Sequence, residues 1–152
     1  MRGSCGCRVE TVKVVVARVE EFAPDSRRIV RVGGREIGVF RVDDRFFAVR
    51  NRCPHQGGPL CIGRVFPRII SEQPGEFQLD DGPPLLVCPW HGWQYDMASG
   101  EAYAPGDPHV RSYEVSVEHG SSIVAGLDSG EPPFVAETFP VYVEEDYVVL
   151  DA

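Results

Sequence analysis

The sequence lacks a long apolar run, a sustained helical periodicity and an excess of positive charge. No stretch of about 20 apolar residues could span a bilayer, and only Cys5, Cys7 and small residues lie between Arg2 and Arg8, so no apolar signal-peptide core is present. The chain contains 15 Lys and Arg residues and 23 Asp and Glu residues, which gives a formal net charge of −8. We therefore expect a cytoplasmic protein that uses neither a membrane nor nucleic acid and whose acidity suits a positively charged partner.

Glycine and proline are abundant and are spread along the chain in short clusters. The 152 residues include 16 glycines and 13 prolines, which favours many brief strands joined by tight turns over long helices. A hydrophobic fraction of 43% in a chain of this length is enough for one buried core. We expect a single all-β domain over residues 1–152, and we expect it to be a monomer.

Short apolar or alternating segments bounded by turn residues supply the predicted strands. The Gly33-Gly34 pair between two of them predicts a β-hairpin. A polar stretch at about 118–133 is predicted to be a long loop. The predicted strands are Val12–Val16, Ile29–Val32, Glu36–Val42, Phe46–Val49, Leu85–Val87, Val110–Val117 and Phe139–Leu150.

Two short motifs contain the candidate metal ligands. Cys53 and His55 form a C-x-H motif in the segment 53–61, and Cys88 and His91 form a C-x-x-H motif in the segment 88–96. We name these segments the first and second cluster loops. A structural zinc ion needs four ligands that converge on one point, whereas a two-iron cluster with two cysteines on one iron and two histidines on the other needs both loops to reach both metals. One thiol and one imidazole in each loop suit the second arrangement.

The stretch from Cys53 to Asp96 resembles the Rieske [2Fe–2S] family, and both halves of that family's signature match at every ligand position. The resemblance implies a β-sandwich of antiparallel strands with a small cluster-binding subdomain formed by the two loops. It also implies one [2Fe–2S] cluster per chain. In that cluster Cys53 and Cys88 would hold the buried iron, and His55 and His91 would hold the outer iron.

The sequence departs from the family pattern in two ways. Between His55 and Cys88 lie 32 residues, while the family spaces its motifs by roughly half that, so we expect an inserted surface hairpin at about 67–84. Respiratory members carry an extra cysteine in each loop that pair as a disulfide, and the matching positions here are Gly58 and Trp90. The missing disulfide favours the low end of the Rieske potential range.

The resemblance implies a soluble one-electron carrier that passes electrons from a flavin reductase to a terminal oxygenase. The alternatives are a redox subunit or sensor of an unrelated enzyme, such as a nitrite-reductase-like system, and a structural zinc module. His109 and His119 lie beside turn residues and are expected to face solvent, so we predict no iron site of an oxygenase and no independent catalytic site.

Apolar residues beside the ligands form the expected docking patch for redox partners, namely Pro59, Leu60, Trp90 and Trp93, although each tryptophan could equally belong to the core. The remaining cysteines, Cys5, Cys7 and Cys61, are expected to be free thiols in a reducing compartment.

Overall fold

The structure is a computed structural model and describes residues 11–103, 106, 108–127 and 144–152. Within these ranges the chain forms mainly strands, with two 3-10 turns and one short helix. The strands are β1 (Lys13–Arg18), β2 (Arg27–Val32), β3 (Arg35–Val42), β4 (Arg45–Arg50), β5 (Arg64–Phe66), β6 (Ile69–Ile70), β7 (Gln78–Leu79), β8 (Leu85–Val87), β9 (Gln94–Asp96), β10 (Ser112–His119) and β11 (Asp146–Asp151), the turns are Val19–Glu21 and Leu60–Ile62, and the helix α1 is Gly120–Leu127.

Three antiparallel sheets organise these strands. The largest has six strands in the order β1-β11-β10-β4-β3-β2, the second has the order β5-β8-β9, and β6 pairs with β7 alone. This arrangement confirms the predicted antiparallel all-β fold. The described part of the chain contains no helix long and apolar enough to cross a bilayer.

The hairpin predicted around Gly33-Gly34 is confirmed. Strands β2 and β3 pair from Arg27 opposite Phe40 to Val32 opposite Arg35. Gly33 and Gly34 connect them with φ values of +55° and +76°, the left-handed conformation that a tight two-residue hairpin turn needs and that glycine adopts without steric cost.

Strands β3 and β4 separate two hydrophobic cores. Successive side chains of a strand point to opposite faces, so Ile37 and Val39 join one core, with Val148 and Leu150 of β11. Phe40, on the other face, joins a second core with both cluster-loop cysteines, Leu60, Leu86 and Tyr95. The second core lies between the six-stranded sheet and the β5-β8-β9 sheet, and the cysteines of both cluster loops are packed in it.

Several predicted elements need correction. The polar loop predicted at about 118–133 contains helix α1 and the end of β10. The helix forms because Ile123-Val124-Ala125 interrupts the polar stretch and because Nδ1 of His119 accepts a bond from the N–H of Ser121 at 3.4 Å, as an N-cap side chain does. In β1 a register shift between Val15 and Ala17 breaks the expected alternation. The predicted strand at 139–150 is observed from Asp146, and residues 139–143 lie outside the described residues.

The segment at 67–84 contains the β6–β7 ribbon. Its apolar side chains face outward: Ile69 is 62%, Leu79 69% and Phe77 77% exposed. The guanidinium of Arg68 forms an ion pair with the buried carboxylate of Asp96, which anchors the base of the ribbon to β9. The ribbon extends from the ends of β5 and β8 that lie away from the cluster loops, so it leaves the loop geometry undisturbed.

Candidate metal centre

The two cluster loops are held by different elements of the fold. The first follows β4 and leads through the 3-10 turn Leu60–Ile62 into β5, while the second connects β8 to β9. Gly63, directly after that turn, lies so close to β8 that an added Cβ would be 1.9 Å from the carbonyl oxygen of Val87. Only glycine permits this approach, which brings the end of the first loop against the start of the second.

The backbones of the two loops repeat the same hydrogen bonds. The N–H of Gly57 donates to the carbonyl of Cys53 at 2.8 Å, and the N–H of Gly92 donates to the carbonyl of Cys88 at 3.0 Å. Each glycine has a positive φ, +78° and +74°, which lets the chain reverse just beyond the histidine. Both loops therefore present a cysteine and a histidine from a closed turn.

The two cysteine thiols lie in the second core. Cys53 and Cys88 are each 2% exposed, and neither forms a disulfide. The hydroxyl of Tyr95 lies 3.1 Å from the sulfur of Cys53, and it would be the donor to a thiolate because a thiolate has no proton. Burial raises the pKa of the Cys88 thiol, whereas the backbone N–H groups of Trp90 and His91 lower it. A metal would offset this cost because it binds the thiolate directly.

The two histidine rings approach each other. The rings of His55 and His91 are 4.7 Å apart between centroids and nearly perpendicular. His55 is half-buried and stacks on the indole of Trp93, with centroids 4.1 Å apart and planes 15° apart. His91 is exposed, so its ring has a free edge toward solvent.

One buried atom shows which way the first imidazole faces. Nδ1 of His55 is buried and has no hydrogen-bond partner among the described residues. A buried nitrogen without a partner costs about 1–3 kcal/mol, and a bound metal ion removes that cost. Together with two buried thiols, this nitrogen fits a cluster that takes sulfur ligands on one metal and imidazole ligands on the other.

The candidate ligands form two pairs: the imidazoles of His55 and His91 adjoin each other, and the thiol of Cys88 interacts with that of Cys53. One pair of sulfur ligands and one pair of nitrogen ligands suit a two-metal cluster, whereas a structural zinc site needs four ligands around one ion.

The residues predicted to flank the cluster have different environments. Trp90 is 57% exposed and can contact a partner, whereas Trp93 is half-buried and packs on the second core. Leu60 is fully buried, so its assignment to the docking patch was wrong: it begins a 3-10 turn in which Leu60 and Cys61 face the core and Ile62 is exposed. His109 and His119 are both exposed: His109 lies near Glu101 and lines a cleft beside the first cluster loop, and His119 lies near Ser121.

Some residues that shape the site could not be identified as such from the sequence. The side-chain oxygen of Asn51 accepts the N–H of Cys61 at 2.8 Å, and its amide donates to Glu36 at 3.1 Å, which fixes the first loop to β3. The indole of Trp90 covers Gly58, where an added Cβ would be 2.8 Å from the ring. These two residues occupy the positions of the missing disulfide, so ring-on-backbone packing joins the loops there.

Known proteins have sequences similar to that of this chain. A human Rieske domain-containing protein is 31% identical over 106 residues, and the match covers 67% of this chain but only 60% of the human protein. Ferredoxin CarAc of Metapseudomonas resinovorans is 31% identical over 101 residues, which cover 66% of this chain and 79% of that protein.

Solved structures show the same fold. The ferredoxin of carbazole 1,9a-dioxygenase from Nocardioides aromaticivorans superposes with a TM-score of 0.53 at 28% identity, covering 70% of this chain and 89% of that one. A complex of reduced oxygenase and oxidised ferredoxin in carbazole 1,9a-dioxygenase matches with a TM-score of 0.51 at 26% identity, over 69% of this chain and 93% of that one.

Fold and loops together define a small β domain built around a metal cluster. The family model for the Rieske [2Fe–2S] domain matches residues 12–114, and the chain belongs to this family. Its cofactor is accordingly a [2Fe–2S] cluster.

Proposed function

We propose that Cys53 and Cys88 bind one iron of the cluster and that His55 and His91 bind the other. The observation that carries this assignment is the pairing itself: the two loops supply two buried thiols and two adjoining imidazoles, one of which has an unpartnered buried Nδ1. When bound, the cluster supplies reversible one-electron chemistry. The protein residues hold it, exclude water from the sulfur side and leave the His91 edge open.

The function that this arrangement supports is one-electron transfer between protein partners, from a flavin reductase to a terminal oxygenase. Relatives with this fold are ferredoxins, and one solved structure contains such a ferredoxin in complex with an oxygenase. The exposed His91 and the exposed indole of Trp90 form the surface through which electrons would leave. We place this carrier in the cytoplasm, whose reducing conditions suit the free, buried thiol of Cys61, and we propose that it works as a monomer.

The proposal is tested with the iron-loaded protein under anaerobic conditions. Coulometric titration should show uptake of one electron per chain, and stopped-flow mixing with the oxygenase component of a carbazole dioxygenase should reoxidise the reduced protein. Reduction by an NAD(P)H-dependent flavin reductase tests the donor side in the same way. Uptake of no electron would contradict the carrier function, and preferential reoxidation by a nitrite-reductase-type enzyme would replace the oxygenase as acceptor.

A further inference from the structure

A cleft lined by three arginines lies beside the first cluster loop. It has a volume of about 420 Å³, and its walls include Arg50, Arg52, Arg111, His55 and His109. The cleft forms because β10 begins next to the end of β4, where Ser112 is paired with Val49 and the N–H of Arg50 donates to the carbonyl of Arg111 at 2.9 Å. Arg111, far away in sequence, thus places its positive charge beside those of Arg50 and Arg52, next to a candidate iron ligand.

These three arginines have no carboxylate partner in the described part of the chain. The ion pairs of this part use Lys13, Arg18, Arg31, Arg41, Arg68 and His109 instead. Among the described residues, the carboxylate of Glu101 lies 3.9 Å from Nε2 of His109 at the rim of the cleft. None of the residues lining the cleft is acidic.

This local charge is opposite to the charge of the whole molecule. The chain carries a formal net charge of −8, yet the surface beside the first cluster loop is positive. Acidic residues are concentrated elsewhere, for example on the inserted ribbon segment, which contains Glu72, Glu76, Asp80 and Asp81. At physiological ionic strength charges beyond about 8 Å are largely screened, so the local arginines, and not the net charge, determine which groups the cleft attracts.

We propose that this cleft receives carboxylate side chains from the protein that exchanges electrons with this chain. Guanidinium groups bind carboxylates through paired hydrogen bonds, and the cleft has room for one or two such side chains. The proposal rests on the proposed carrier function and adds the chemistry of the partner's surface: an acidic face, contrary to the basic partner that the net charge suggests. A carboxylate bound there would partly neutralise the arginines beside His55.

The neutralisation has a measurable consequence for the cluster. Reduction adds a negative charge, which nearby arginines favour, so a carboxylate in the cleft should lower the midpoint potential. Binding and potential can therefore be followed separately on the same protein, without any catalytic assay.

The test uses the iron-loaded protein and a capped hexaglutamate peptide as a model of an acidic face. Calorimetry should show one peptide per chain at low ionic strength, and voltammetry should show a more negative midpoint when the peptide is present. In an Arg52→Gln/Arg111→Gln variant we expect binding at least tenfold weaker and no shift of the midpoint. An Arg28→Gln/Arg64→Gln variant is the matched control, because it loses the same charge at exposed positions outside the cleft.

The proposal would be overturned if the Arg52→Gln/Arg111→Gln variant kept both the peptide binding and the midpoint shift. It would also be overturned if hexalysine bound more tightly than hexaglutamate and shifted the midpoint. Citrate binding more tightly than the peptide would also overturn it, because the cleft would then take a free acid. The visible spectrum verifies cluster content in each variant. The two proposals fail in different ways. If the chain is not an electron carrier, the unsubstituted protein takes up no electron; if only the cleft proposal is wrong, the protein still takes up one electron but its peptide binding does not depend on Arg52 and Arg111.

Discussion

The first and second cluster loops share their backbone hydrogen bonds and differ in what surrounds them. In the first loop His55 is half-buried, stacked on Trp93 and bordered by the arginine cleft. In the second, Pro89, Trp90, His91 and Gly92 are all exposed. Equivalent backbone geometry therefore holds the two histidines in unequal environments: His55 is packed against Trp93, whereas His91 is exposed to solvent.

This difference separates two tasks that a carrier needs. The packed loop fixes ligand positions, which limits rearrangement when the charge of the cluster changes. The open loop provides the short path to a partner, because only an exposed imidazole edge can approach another protein closely. The predictions below alter each loop in turn, from the largest expected effect to the smallest.

Replacement of any proposed ligand should remove the cluster. Alanine at Cys53, His55, Cys88 or His91 leaves an iron with three ligands, and we expect complete loss of visible absorption and of bound iron. The control is His109→Ala, which should keep full colour because that ring lies outside both loops. Full iron content in His91→Ala, or a colourless His109→Ala protein, would contradict the ligand assignment.

The contact between the loops at Gly63 should tolerate no side chain. Since a Cβ there would lie 1.9 Å from the carbonyl oxygen of Val87, Gly63→Ala should lower the free energy of unfolding by about 3 kcal/mol. Gly75→Ala is the control: its φ is +88° but nothing lies near it, so backbone strain alone should cost about 1 kcal/mol. Denaturant titrations followed through the visible absorption compare the two, and equal losses would show that the loops are not in contact at Gly63.

The two tryptophans, both in the second cluster loop, should report the unequal environments of the two histidines. Trp93→Ala removes a half-buried ring that stacks on His55, and we expect a loss of about 2 kcal/mol in stability. Trp90→Ala removes a ring that is 57% exposed, so its cost should be below about 1 kcal/mol. Conversely, Trp90→Ala should slow electron transfer to a partner more than Trp93→Ala does. The reverse order in either measurement would mean that Trp90, and not Trp93, is the packed ring.

Cys61 is the last residue of the first loop, and ionisation of its thiol should lower stability only in alkaline solution. Burial raises the pKa of its thiol from the ordinary value of 9.0 to about 12. Above pH 9 the unfolded chain therefore binds fewer protons than the folded one, and stability falls as the pH rises from 9 toward 12. By pH 10 the loss should be about 1 kcal/mol. Unfolding measured from pH 8 to 10 should show a steeper fall for the unsubstituted protein than for Cys61→Ala, and parallel curves would refute the shift.

The parts of this structure that the sequence predicts are those that depend on neighbouring residues. The hairpin at Gly33-Gly34 follows from turn chemistry. The paired motifs at Cys53 and Cys88 stand out because each places a thiol and an imidazole within four residues. Such signals need no knowledge of which strands pair.

What the sequence did not show depends on contacts between distant segments. The arginine cleft exists only because β10 lies against β4, which brings Arg111 to Arg50. Trp93 could be assigned to the core or to a docking surface with equal reason until its stacking on His55 was known. Leu60 was misassigned for the same reason, since its burial depends on the packing of the second core.

The central claim is that the two loops bind one cluster with sulfur ligands on one iron and nitrogen ligands on the other. Mössbauer spectroscopy of the oxidised protein loaded with isotopically enriched iron tests it most directly, together with metal and acid-labile sulfide analysis. We predict two irons and two sulfides per chain and two quadrupole doublets of equal area, because the two irons have different ligands. A single doublet from equivalent irons, or zinc as the main metal, would contradict the account.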